Sequence, residues 1–98
     1  MIRVILPVHL RRLANIEKEV SISANEEATF GSVLDALEEQ YPMLKGTIRD
    51  QISKERRAYI RYFACGEDYS HHPPETRLPQ AVLNGEEALR IIGAMSGG

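Results

Sequence analysis

Ile2, Val4, Leu6 and Val8 occupy alternate positions at the start of the chain, with Arg3 between them. A period of two marks a half-buried strand, and Pro7 ends it because proline carries no amide donor. A polar and basic link from His9 to Asn15 leads to a second alternation, with Val20 and Ile22 inward and Ser21 and Ser23 toward water. Two strands so joined predict a hairpin. After Asn25, Glu26 and Glu27 the period changes: Phe30, Val33, Leu34, Leu37 and Tyr41 fall on one helical face, with Asp35, Glu38 and Glu39 opposite. Thr29 is placed to cap this helix and Pro42 to stop it. A second helical stretch is predicted over 43–53, where Leu44, Ile48 and Ile52 share a face, against the helix-weakening Gly46 and Thr47.

Alternation resumes at Ala58, with Ile60, Tyr62 and Ala64 on one side and Tyr59, Arg61, Phe63 and Cys65 on the other, closing at Gly66. Residues 69–79 hold three of the five prolines and the pair His71 and His72, and read as an extended loop. Asn84 and Gly85 predict a turn, and Ala88 to Ile92 a last short strand. The order is strand, strand, helix, excursion, strand, loop, strand. It predicts an α+β architecture: a mixed sheet of four to five strands with one main helix packed on one face. The first and last strands have the most apolar faces and belong side by side in the centre. That arrangement fits a β-grasp.

The chain has 98 residues, 43% of them hydrophobic and 27% charged, so residues 1–98 are expected to form a single domain with a flexible C-terminal tail from about 93. A net charge of -2 supplies no basic field for nucleic acid. No apolar run approaches the roughly 20 residues that span a bilayer, and the first residues lack the anatomy of a signal peptide, so a cytoplasmic protein without a membrane role is expected. The single cysteine gives no disulfide framework and too few thiolates for the usual structural zinc sites.

Gly97 and Gly98 are the first residues with chemical content. Two glycines let a tail lie extended in a narrow channel with a carboxylate at its end. A carboxylate resists nucleophiles until it is activated, for example by ATP, because its leaving group is poor. A flexible end without function is the alternative reading of the same two residues.

Taken with the fold order, the tail makes the sequence similar to the small sulfur-carrier family of ThiS and MoaD type, which are ubiquitin-like β-grasp proteins. The resemblance rests on the opening strand Ile2 to Leu6, the helix from Thr29 to Leu37 running to Tyr41 and Pro42, Gly66-Glu67-Asp68, and the close from Ile91 and Ile92 to Ser96, Gly97 and Gly98. The extended middle resembles the branch that supplies sulfur for cysteine synthesis. Cys65, Asn84-Gly85-Glu86 and Gly93-Ala94 depart from the usual family residues, and these departures bear on the partner more than on the fold.

The resemblance implies a carrier rather than an enzyme, with no cofactor of its own. An ATP-dependent, E1-like partner would adenylate the Gly98 carboxylate, with Gly97 giving access. A sulfur donor would convert the adenylate to a thiocarboxylate, and an acceptor enzyme of molybdopterin, thiamin or cysteine biosynthesis would take the sulfur. The exposed sheet face docks the partner in this family. Tyr59, Arg61 and Phe63 are the expected contact residues there, with Met95 and Ser96 on the tail. The excursion 43–57 covering that same face is the alternative. A ubiquitin-like modifier coupled through Gly98 to lysines, and a β-grasp interaction module with an inert tail, are the competing functions.

The other chemistry-bearing residues read as ordinary ones. Cys65 is expected to be a small packed residue, His71 and His72 exposed loop histidines rather than metal ligands, and Glu67 and Asp68 turn carboxylates. Lys54, Arg56, Arg57 and Arg61 form a basic cluster too small for strong nucleic-acid binding.

Overall fold

The computed structural model describes residues 1–93. Five strands form one mixed sheet: β1 (Ile2–Ile5), β2 (Glu19–Ile22), β3 (Ile60–Ala64), β4 (Glu67–Asp68) and β5 (Leu89–Gly93), in the order β2-β1-β5-β3-β4. β1 and β5 run parallel at the centre, with Val4 opposite Leu89. β2 flanks β1 antiparallel, with Val4 opposite Val20, and β3 flanks β5 antiparallel, with Tyr62 opposite Ile91. The inward residues Ile2, Val4, Val20, Ile22, Ile60, Tyr62, Leu89 and Ile91 are all buried. One face of the sheet therefore lies against the rest of the core.

Helix α2 (Phe30–Gln40) covers that face through Phe30, Val33, Leu34 and Leu37. It begins where the side chain of Thr29 accepts from the Ser32 amide at 3.0 Å while Ser32 Oγ accepts from the Thr29 amide at 2.9 Å, a reciprocal cap. Its other early amides are met by the loop expected over 69–79. The Phe30 and Gly31 amides donate to the carbonyls of Thr76 and Pro74. A Cβ on Gly31 would stand 3.2 Å from the Pro74 carbonyl oxygen, so glycine permits this close approach.

Three short elements depart from the sequence reading. The link expected over His9 to Asn15 contains helix α1 (Val8–Leu13), started at Pro7 and anchored by the buried Leu10, with Ala14 buried one turn later. Val8, expected inward with β1, belongs to this helix and is exposed. Glu67 and Asp68, expected in a turn, pair with Ala64 and Phe63 as the edge strand β4. A further short helix, α3 (Gln80–Leu83), buries Val82.

The helix expected over 43–53 does not form. A single 3-10 turn, Pro42–Leu44, is followed by Gly46 in the left-handed region at φ 83°. The chain then turns back on itself through a bridge between Arg49 and Arg56. The Asp50 carboxylate accepts from the amides of Ile52 and Ser53 inside this turn, which competes with helical bonding. Leu44 and Ile48 are buried as expected, but Ile52 sits at the tip, 92% exposed.

Candidate functional site

β5 carries the chain out of the centre of the sheet, and its last residue, Gly93, pairs with Ile60 of β3. Buried Leu89 and Ile91 hold β5 in place. Helix α1 sets His9 over this exit. A Cβ on Gly93 would lie 2.7 Å from His9 Cε1, so a side chain here would require the imidazole to move. A groove of about 570 Å³ opens beside the exit, with His9, Arg57, Tyr59 and Gly93 among its walls. Tyr59 is 63% exposed and faces this groove. Residues 94–98, which include Met95, Ser96, Gly97 and Gly98, lie outside the described residues.

Among the described residues, no helix covers the opposite face of the sheet. One row crosses all five strands by register: Glu19 beside Ile5, Ile5 beside Arg90, Arg90 beside Phe63, and Phe63 beside Asp68. Arg61 and Ile92 stand together in the next row, both exposed. Arg3 pairs with Glu19 at 3.2 Å and Arg61 with Asp68 at 3.1 Å. Arg90 has no carboxylate partner among the described residues. The face thus offers a half-buried aromatic, two aliphatic side chains and arginines, the residue types that dominate protein contacts. Residues 43–57, the alternative cover for this face, pack instead against α2 through Leu44, Ile48 and Arg49. Tyr59 is brought to the groove, whereas Arg61 and Phe63 belong to the open face.

Ser70 accepts from the Tyr62 amide at 2.9 Å and donates its own amide to Asp68 at 2.8 Å, which ties β4 to β3. The Ser70 hydroxyl and amide, with Arg61, hold the Asp68 carboxyl below the usual carboxylate range. Cys65 is not packed as expected. It is exposed, in the left-handed region at φ 52°, because the two-residue turn between β3 and β4 needs positive φ at both Cys65 and Gly66. His71 and His72 are exposed, and the His72 ring lies 4.7 Å from that of Tyr69.

Glu38 is the largest departure from the sequence reading. It was expected on the solvent side of α2 but is 3% exposed, and Arg49 is buried with it. Arg49 donates to Glu38 from Nε at 2.9 Å and from Nη2 at 3.1 Å, and also to Asp35. Burial lowers the Arg49 pKa, but hydrogen bonds and charge from Glu38 and Asp35 outweigh it and hold it above its ordinary value. Glu38 follows Leu34 by four residues, at the edge of the apolar stripe, which is the one sequence signal of its position. Arg56, read as part of a basic cluster, is likewise structural: it donates to the carbonyls of Ser70 at 3.0 Å and Ile60 at 2.7 Å.

Among the described residues no group of three or more His, Cys, Asp or Glu side chains could hold a metal ion, and no helix is long and apolar enough to cross a membrane.

No family model matches the chain, and no curated protein matches its sequence. Solved structures do match it over nearly its full length. SAMP1 from Haloferax volcanii superposes with a TM-score of 0.76 at 23% identity, covering 98% of this chain and 97% of its own. Mycobacterium tuberculosis CysO gives 0.75 at 23% identity, covering 97% of this chain and 100% of its own. A chain of the Amycolatopsis orientalis BexX/CysO complex gives 0.76 at 21% identity, with both chains covered completely. The fold is the β-grasp of these ubiquitin-like proteins.

Proposed function

We propose that this chain is a sulfur carrier of the ThiS and MoaD type, acting through the Gly98 carboxylate. The observation that carries the reading is a β-grasp fold, shared over nearly the whole chain with CysO and SAMP1, whose central strand β5 is the last element before Gly97 and Gly98 in the sequence. In the proposed cycle a carboxylate oxygen of Gly98 attacks the α-phosphorus of ATP and pyrophosphate leaves. Sulfur at the oxidation level of sulfide, brought by a donor, then attacks the acyl carbon; the carbon–sulfur bond forms, the bond to AMP breaks, and a thiocarboxylate remains. The chain is a co-substrate in this cycle, and the chemistry belongs to a separate adenylating enzyme in the cytoplasm and to the acceptor enzyme.

Arg61 and Phe63 supply the docking surface in this reading, Tyr59 and the groove at the exit guide the tail, and Met95, Ser96 and Gly97 lie in the partner's channel. The BexX/CysO complex supports a stable encounter between such a carrier and a partner. Two neighbours carry the name small archaeal modifier protein, which supports a second reading in which the activated Gly98 acylates lysine amines of other proteins.

One experiment separates these. The full chain and a variant lacking Gly98 are added to extract of its native cells with ATP and cysteine radiolabelled at sulfur, and are resolved after reduction so that no label is held on Cys65 by a disulfide. The carrier reading predicts label on the free chain and none on the variant. Label absent from both, with ATP-dependent high-mass conjugates of the full chain, favours the modifier; identical behaviour of the two chains rules out both.

A further inference from the structure

A second cavity, of about 340 Å³, opens on the helix-covered side of the sheet, between α2, residues 53–56 and residues 69–74. The proposed carrier chemistry makes no use of it. Phe30, Leu34, Tyr62 and Tyr69 form its apolar wall. Phe30 stacks on Tyr69 with 5.0 Å between ring centroids and on Tyr62 with 6.5 Å. A concave site of this size, with an aromatic wall on one side and polar and charged groups on the other, suits a small molecule.

Two polar residues of its lining stand out. Tyr62 is 7% exposed and its hydroxyl makes no hydrogen bond with the described residues, although its amide does. No sealed side-chain oxygen or nitrogen among the described residues lacks a partner, so this hydroxyl is not sealed off, and Tyr62 is one of the residues that line the cavity. Burial pushes the phenol up to about 12 against the opposing pull of Arg49 and Arg56, so it stays a donor at neutral pH. Arg56 is the second feature. It is half-buried, and all its hydrogen bonds go to the carbonyls of Arg57, Ile60 and Ser70. No carboxylate pairs with it among the described residues.

The remaining charges are unequal. Arg49, Lys54 and Arg56 line the cavity, and among the described residues Glu55 is the only carboxylate that does. Glu38 already serves Arg49 at 2.9 Å and Lys54 at 3.6 Å from behind the wall. A partly desolvated guanidinium with only neutral partners attracts an anion more strongly than a hydrated surface arginine does.

We propose that this cavity binds a small aromatic anion. Its ring lies against Phe30, Tyr62 and Tyr69, and its carboxylate or phosphate faces Arg56 and Lys54 and accepts a hydrogen bond from the Tyr62 hydroxyl. The test is an NMR titration of the full chain, following amide shifts with benzoate, phenyl phosphate and benzyl alcohol as probes. Benzoate or phenyl phosphate is expected to give saturable shifts confined to residues lining the cavity, with a Kd on the order of 1 mM for so small a probe. The tighter of the two identifies the anionic group. Benzyl alcohol, which keeps the ring and loses the charge, binds about tenfold more weakly or worse. Tyr62→Phe keeps the ring in the core, and Lys54→Gln alters an exposed side chain; each weakens the anion about three- to tenfold in a protein whose other amide shifts stay in place. Absence of saturable shifts at the cavity, equal binding of benzyl alcohol, or unchanged affinity in both variants overturns the proposal.

Discussion

Replacing Arg49 by methionine removes the cation around which the Glu38 carboxylate is buried. Both side chains are 4% exposed, and Arg49 Nε lies 2.9 Å from Glu38 Oε2. After the substitution only Lys54 Nζ remains, 3.6 Å from Glu38 Oε1 and itself 47% exposed. Stranding one member of a buried pair costs about 3–5 kcal/mol. That is a large share of the roughly 5–15 kcal/mol that holds an ordinary domain folded. At about 4–8 °C per kcal/mol for a domain of this size, Tm falls by about 12–40 °C. Asp35, the third partner, is 66% exposed and returns to water at little cost. The double variant Glu38→Leu with Arg49→Met leaves no buried charge unpaired, and its stability should lie within about 2 kcal/mol of the parent. Urea unfolding of parent, both single variants and the double variant, followed by circular dichroism, closes the cycle. A cost below about 1 kcal/mol for Arg49→Met, the value of a surface pair, refutes the reasoning. A double variant as unstable as the worse single variant does so too.

Thr29→Ala removes one half of the reciprocal cap on α2 and should cost about 1 kcal/mol by chemical denaturation; an unchanged midpoint contradicts the cap's role. The Asp68 carboxyl, held low by Ser70 and Arg61, contributes stability that is fully present above the ordinary carboxylate range and lost as pH falls through its lowered folded value. A carboxyl NMR titration should show that lowered midpoint, and Asp68→Asn should flatten this part of the acid limb. Phe63→Ala and Arg61→Ala should each slow ATP-dependent sulfur loading at least fivefold or so, the mark of a contact worth about 1 kcal/mol, while the fold persists. Full-rate loading in both variants moves the docking surface elsewhere.

The long periodic segments were legible because burial alone decides them. β1, β2, β3 and β5 follow their alternation, and α2 follows the spacing of Phe30, Val33, Leu34 and Leu37. The central pairing of β1 and β5 was also legible, since these two strands carry the most strongly apolar inward faces, which the middle of a sheet buries most fully. What periodicity could not show was pairing between distant polar groups. Glu38 reads as a solvent-facing acid until Arg49 is folded against it, eleven residues later. The excursion over 43–53 has helical spacing, yet Gly46 and the amides captured by Asp50 set a different path. α1 is too short for a periodic signal, and it matters because it carries His9 to the exit of β5. The open-face residues Arg61 and Phe63 could be named from alternation, but their freedom from cover depended on where 43–57 packs.

The central claim concerns one atom at Gly98. Intact and fragment mass spectrometry of the chain recovered from its native cells should find an oxygen-to-sulfur exchange and place it in the C-terminal fragment. Fragmentation is essential, because oxidation of a methionine or of the exposed Cys65 gives nearly the same mass change. A sulfur confined to Gly98 is the result the account predicts. A terminus that stays unmodified in those cells, and also when supplied with an adenylating enzyme, ATP and a sulfur source, contradicts it.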